Sequence, residues 1–433
     1  MITKEYPMKD FIPAGAGEKM QYMVHPFNDN TIRFLLRYPG LIRADLLKEA
    51  VRAIVGSVDV LHASFAAGKL GARWHVHDAM ADEFFTCIAT EEPVEAGFAL
   101  ALESISPSAP VQLRCTLIRG KDESVVVLLV SHLCADGSDG KYLLNKLCEA
   151  CRMLLETGNC AALTVKNGNR SVEQVYNHLS KQEMRQLLKD PRTGIKCEFP
   201  LPTADAGQPT ALWRRISEDT MASARAKAKQ AGATVNDLLL TACYYAYAET
   251  VELERHTPMS IMSMMDLRRH CDHGDTEGLC NLTGSLPTAL PDGLCSTFDE
   301  TLASIAGQTR RCKNDPYAGL YGMPLLHGAA GKLPLGLLQA AASRLYGSMS
   351  LGMTNVGSID LNALQLDGLT PVEGWFGGPV KRKPGVQVST ASFGGACSLC
   401  IWGHASDGDK PMLEQLLDHI AKHVEAYASA GNV

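Results

Sequence analysis

Six apolar residues in a row, 125–130 (VVVLLV), lie between Ser124 and Ser131. A short apolar run with polar ends predicts a strand buried on both faces. His132 follows directly, Asp136 and Gly137 come four and five residues later, and a helical spacing starts at Lys141. Around this stretch the pattern alternates between strands and helices. Residues 31–38 predict a strand that Pro39-Gly40 ends, and 44–55 predict a helix with Leu46, Leu47, Val51 and Ile54 on one side. Strands are expected at 58–65 and 72–77, joined across Gly68 and Gly71, and at 111–119, where Gln112, Arg114 and Thr116 alternate with apolar neighbours. A turn at 120–123 feeds the strand 124–131. The helix 141–155 carries Leu143, Leu144, Leu147, Ala150, Cys151 and Leu154, and Gly158-Asn159 close it. The more polar 171–188 is predicted helical.

Residues 191–209, rich in Pro and Gly, read as a linker. Beyond it the pattern predicts a strand at 210–216, helices at 219–231 and 234–249 (the second apolar nearly all round), and strands at 258–265 and 285–290. A helix at 296–312, a strand at 348–356, a hairpin of 385–392 with 396–403 around Gly394-Gly395, and a helix at 411–427 complete the chain. Strands interleaved with helices in both halves predict an α+β fold of two mixed lobes, 1–190 and 191–433, with 191–209 between them. No strand is followed by G-x-G-x-x-G, and neither a phosphate-binding Walker loop nor a G-x-S-x-G elbow occurs.

Composition narrows the classes. The 433 residues suit two or three domains. With 46% hydrophobic and 20% charged residues and a net charge of −6, nothing favours nucleic acid or anionic lipid. The compact basic cluster Lys381-Arg382-Lys383 is expected to be solvated surface, with phosphate contact as the alternative. The first twenty residues contain no apolar signal-peptide core, and no apolar run reaches bilayer length, so a cytoplasmic location is expected. The 14 cysteines are scattered, as expected of small buried residues in a reducing compartment. Cys148 and Cys151 share a helix face, whereas Cys397 and Cys400 point to opposite faces of a strand. His270, Cys271, His273 and Cys280 come nearest to a metal set, but their spacing fits no common zinc knuckle. Loop or packing roles are expected there, and no metal.

The chemistry concentrates at His132. A neutral imidazole at a strand end can take and return a proton near neutral pH. Asp136 suits locking the loop, by pairing with an arginine or capping the following helix. Gly137 suits a backbone conformation or a close approach that a side chain forbids. On these residues alone, a histidine at a strand end with an ordinary Asp-Gly turn is the favoured reading.

His132-x-x-x-Asp136-Gly137 resembles the HxxxDG motif of the coenzyme A-dependent acyltransferase superfamily. That superfamily includes chloramphenicol acetyltransferase, the condensation domains of non-ribosomal peptide synthetases, alcohol acetyltransferases and wax ester synthases. Other landmarks follow in the family's order. Residues 60–65 with Gly71 and Trp74 resemble an early hairpin, with His62 where arginine is common. Residues 233–238 (ATVNDL) resemble a helix start, and Asp266-Leu267-Arg268 a strand end. Asn281 to Gly284 and Thr354-Asn355-Val356-Gly357 resemble two later elements. The resemblance runs from about Thr31 to the C-terminus.

It implies two chloramphenicol acetyltransferase-like lobes with a tunnel between them, and no permanently bound cofactor. His132 would deprotonate an acceptor that attacks a thioester directly. Asp136 and Arg268 would pair, with a surface pairing of Arg268 to Asp266 as the alternative. Ser131, Asn355, Ser389 and Thr390 would line the tunnel, and Asn355 is an oxyanion donor or simply a turn residue. Condensation domains usually carry a histidine where Ser131 stands, which favours a freestanding enzyme. The fragments Phe376-Gly377-Gly378 and Phe393-Gly394-Gly395 are expected to be plain turns. The function expected is O-acyl transfer from acyl-CoA to an alcohol, by a monomer acting on small molecules. The alternatives are an amide-forming enzyme fed by an acyl or peptidyl carrier protein, and an inactive binding member of the family.

Overall fold

The computed structural model describes residues 11–68, 71–78, 81–188, 194–195, 198–271, 274–346 and 351–430. Its strands, in chain order, are β1 (Phe11–Pro13), β2 (Thr31–Tyr38), β3 (Ala63–Gly68), β4 (Gly71–Val76), β5 (Phe85–Ala89), β6 (Leu113–Arg119) and β7 (Ser124–Ser131). They continue with β8 (Gln208–Ile216), β9 (Met259–Asp266), β10 (Thr283–Leu290), β11 (Leu351–Ile359), β12 (Glu373–Gly377), β13 (Val386–Phe393) and β14 (Ala396–Ala405). The two principal sheets have the orders β12-β2-β7-β6-β5 and β10-β9-β11-β13-β14-β8, and β1-β4-β3 form a small third sheet. The architecture is the expected α+β one, with mixed sheets and flanking helices.

β7 is the middle strand of the first sheet, antiparallel to β2 along its whole length and to β6 from Ser124 to Val130. All eight of its residues are buried, and they alternate between two cores. Val126, Leu128 and Val130 face the helices Ala44–Ser57 and Gly137–Thr157. Val125, Val127 and Leu129 face the helix Pro93–Ala101 and the indoles Trp375 and Trp402. That two-sided burial is why the run lacks polar alternation. In the second sheet the helix Val235–Thr250 is buried nearly all round, beneath the last helix Lys410–Ser429.

β12 departs from expectation. Phe376-Gly377 is not a turn. It is the end of a strand in which Glu373–Gly377 pair antiparallel with β2, Trp375 opposite Leu35. A strand from late in the chain thus completes the first sheet. Its glycine is needed for closeness, since a Cβ at Gly377 would lie 2.5 Å from both Arg33 Cγ and Trp402 Nε1. Gly394-Gly395 do form a turn, at φ 56° and 94°.

The expected helix 171–188 breaks into a 3-10 turn, Val172–Val175, and a short helix, Lys181–Gln186. Ser180 and Glu183 form a reciprocal capping box that starts the second piece afresh. The expected strand 58–65 opens as the 3-10 turn Asp59–His62 before β3. Of the expected strand 348–356, residues 348–350 lie outside the described residues. Within 191–209 the chain is anchored at Phe199: its side chain is buried in the second core and Tyr247 donates to the carbonyl of Glu198 at 2.7 Å, while most of the other described residues there are exposed.

The basic cluster is not plain solvated surface either. Lys383 is largely buried against Asp409 at 2.5 Å, and Lys381 lines the central cavity. No described helix is long and apolar enough to cross a membrane.

Candidate active site

His132 leaves β7 where the strand's pairing ends. Its backbone N–H donates to the carbonyl of Asn30 at 2.7 Å. Asn30 has φ 48° and is buried, held by its side chain's bond to the carbonyl of Gln21 at 2.7 Å. The imidazole is fixed at Nδ1, which lies 2.8 Å from the carbonyl oxygen of Ala135 and 2.8 Å from Nδ2 of Asn281. Nε2 has no hydrogen-bond partner among the described residues. The half-buried ring lines a cavity of about 450 Å³ between the two principal sheets. Burial pushes the imidazole's pKa below its ordinary value. The charge of Asp136 opposes that shift and Lys381 adds to it.

Four residues on, the loop closes on itself. Asp136 caps the helix Gly137–Thr157, its Oδ1 accepting from the N–H groups of Ser138 and Asp139 at 3.0 and 3.1 Å. Its Oδ2 accepts from Arg268 Nη1 at 2.7 Å and from the N–H of Leu282 at 2.9 Å. Asp139 meets the other arm of the guanidinium at 2.9 Å and accepts from the N–H of Cys280 at 2.8 Å. Arg268 also reaches Asp266, at 3.2 Å, and the carbonyl of Cys280, at 3.0 Å. Burial works against the charge of Arg268, but Asp136 and Asp139 outweigh it and hold its pKa above the ordinary arginine value. Burial, reinforced by the charge of Asp136, pushes Asp139 up to about 7.

Gly137 owes its place to closeness. It does not occupy the left-handed region, and a Cβ there would sit 2.8 Å from Val356 Cγ1. Of the expected tunnel residues, Asn355 lines the cavity. Its Nδ2 donates to Asn236 Oδ1 at 3.2 Å, and its Oδ1 accepts from the N–H of Gly357 at 2.8 Å. Ser389 sits just behind the wall, accepting from the N–H of Gly378 at 3.3 Å. Thr390 donates to the carbonyl of Thr354 at 3.4 Å and is buried. Ser131 does not line the cavity. It is fully buried, because strand alternation turns it away from His132, and its hydroxyl accepts from the N–H of Leu133 at 3.4 Å.

Asp139 and Asn281 were not assigned these contacts by sequence reasoning. The spacing D-x-x-D at a helix start was a signal for Asp139, since a helix's first turn places both carboxylates at its N-terminus. Asn281 lies 149 residues from His132, and only the fold joins them. Lys141, a helix position by its spacing, also belongs to the site: its Nζ donates to the carbonyl of Val356 at 2.6 Å beside the cavity. Of the nearest thing to a metal set, His270 bonds the carbonyl of Ala318 at 2.8 Å and the Cys280 thiol donates to the carbonyl of Arg170 at 2.9 Å, while His273 lies outside the described residues.

No family model matches the chain, and no curated protein matches it in sequence. Solved structures do. The chain is similar to polyketide synthase associated protein 5 from Mycobacterium tuberculosis, with a TM-score of 0.71 at 15% identity, covering 99% of this chain and 100% of that one. It is similar to the trichothecene 15-O-acetyltransferase from Fusarium sporotrichioides, with a TM-score of 0.69 at 11% identity, covering 98% and 99%. The first condensation domain of the CDA synthetase gives 0.68 at 12% identity, covering 98% of each chain. The fold is therefore the one shared by condensation domains and coenzyme A-dependent acyltransferases.

Proposed function

We propose that the protein is an acyltransferase that moves an acyl group from a thioester, acyl-CoA, to an alcohol. His132 is the general base. Nε2 takes the proton from the acceptor hydroxyl, whose oxygen attacks the thioester carbonyl. The tetrahedral intermediate collapses, the thiolate leaves, and the imidazolium returns the proton to it. No acyl-enzyme forms. The observation that carries this reading is an imidazole anchored at Nδ1, with no partner at Nε2 among the described residues, on the wall of a cavity large enough for a small substrate. Its lowered pKa keeps the base neutral at physiological pH. Asn355 has a second amide N–H beyond the one given to Asn236, suited to a developing oxyanion. Asp136, Gly137 and Arg268 hold the loop, and two lobes, 1–190 and 191–433, divided by 191–209, carry the site. The protein works in the cytoplasm as a monomer, without a resident cofactor.

The test is a panel of acyl-CoA and carrier-protein-bound thioester donors against alcohols and amines, with ester or amide products read by mass spectrometry. Ester formation by the wild type, lost in His132→Ala, supports the proposal. Amide formation only from carrier-bound thioesters would replace it with a condensation reaction, the activity class of several structural neighbours. Thioester consumption equal in wild type and His132→Ala removes the general base.

A further inference from the structure

Two groups that require opposite protonation meet Nδ1 of His132. The carbonyl oxygen of Ala135 can only accept, and the amide nitrogen of Asn281 can only donate; each is 2.8 Å away. The amide cannot simply be turned over. Its Nδ2 also donates to the carbonyl of His132 at 3.2 Å, and its Oδ1 accepts from the N–H of Thr283 at 3.3 Å. Turning it would set two acceptors together at the first contact and two donors at the second. One ring nitrogen offers either an N–H or a lone pair in its plane. With the proton on Nδ1, the ring donates to Ala135 and opposes the amide of Asn281. With the proton on Nε2, it accepts from Asn281 and opposes the carbonyl of Ala135.

We propose that Asn281 is a positioning residue that sets the tautomer balance of His132, by giving the Nε2–H form the partner that Ala135 gives the Nδ1–H form. The charged groups acting on the ring, Asp136 and Lys381, bear on whether it is protonated at all and are common to both neutral tautomers. The catalytic consequence rests on the reading of His132 as base. Only the Nδ1–H form presents a lone pair at Nε2, whereas the Nε2–H form presents a hydrogen-bond donor to whatever fills the cavity.

The tautomer is measurable without turnover, so this inference and the acyl-transfer reading fail separately. Protein labelled with ¹⁵N in histidine is observed at pH 8, where the ring is neutral, and the His132 signals are assigned by their loss in His132→Gln. In the wild type, the Nδ1 resonance is expected between the positions of a protonated and a bare ring nitrogen. In Asn281→Leu, which keeps the branching at Cγ and removes the donor, it moves to the protonated position. Asn281→Asp, nearly the same shape with an acceptor facing Nδ1, moves it the same way and serves if the leucine variant does not fold. A wild-type resonance already at the protonated position, or one unchanged in the folded variants, overturns the proposal.

Discussion

The two ends of the turn from His132 to Gly137 are built on opposite terms. At Asp136 both carboxylate oxygens are used twice, by two helix N–H groups, an arginine and a further backbone N–H. At His132 one ring nitrogen is contested and the other is left to the cavity. A buried carboxylate has to be saturated, because an unpaired buried charge costs several kcal/mol. A base has to keep one position open. Four residues of separation let one loop satisfy both demands, and substitutions at its two ends should therefore fail differently.

The largest effect is expected at the open end. His132→Ala should lower acyl transfer by about 10²- to 10⁴-fold, while the thermal midpoint shifts little, since the side chain is absent from the ion-pair lock around Asp136. An equal loss of stability would show that His132 is part of the lock. At the closed end, Arg268→Met removes the cation shared by Asp136 and Asp139 and leaves two buried carboxylates facing each other. It should cost about 3–5 kcal/mol in urea unfolding. A loss under about 1 kcal/mol would mean that the carboxylates find protons instead, and the lock would not depend on the ion pair.

The open end was more legible in the sequence than the closed one. An apolar run ending in histidine is local, and so is a carboxylate poised to cap the next helix. The partner of Asp136 came from resemblance, because nothing within the loop distinguishes Arg268 from Asp266's own neighbour. The carbonyl of Cys280, the N–H of Leu282 and the amide of Asn281 all enter from a loop about 150 residues away, and backbone groups carry no sequence signature. The same limit hid β12. Its glycines read as a turn, yet Gly377 serves a strand that must pass against Arg33 and Trp402. Strand periodicity was reliable where burial is two-sided, as at β7, or alternates, as at β6. It failed for helices rich in small residues, such as Pro93–Ala101 and Met323–Lys332, which went unpredicted because they lack a clear apolar stripe.

A smaller effect is expected where the two ends touch through the helix start. Gly137→Ala places a methyl 2.8 Å from Val356 Cγ1, so this β-branched residue of β11, stiff at χ1, has to shift. A cost of about 1–3 kcal/mol is expected, measurable by the same unfolding experiment. A stabilised variant would indicate that Val356 gives way freely, so that closeness is not why glycine stands there. Because Val356 also lines the cavity, its displacement should raise KM for the substrate on that side before it lowers kcat.

The finest separation of the two ends is by pH. Asp139 titrates near 7 in the folded protein and near 3.8 when unfolded, so the folded state holds the extra proton between those values. Its contribution to stability is complete below about 4, falls as pH rises, and is gone once pH passes about 7. His132 acts in the opposite sense over the lower part of that window. Its folded pKa lies below the ordinary 6.5, so its contribution is present above 6.5 and lost as pH falls through the folded value. Asp139→Asn removes the first term and leaves the second. Between pH 5 and 7 the variant's unfolding free energy should therefore rise more steeply with pH than the wild type's, by up to about 1 kcal/mol per pH unit. Parallel curves for the two proteins would show that Asp139 does not hold the proton. The same substitution should leave the acid limb of the rate profile unmoved, because that limb belongs to the imidazole at the other end of the turn.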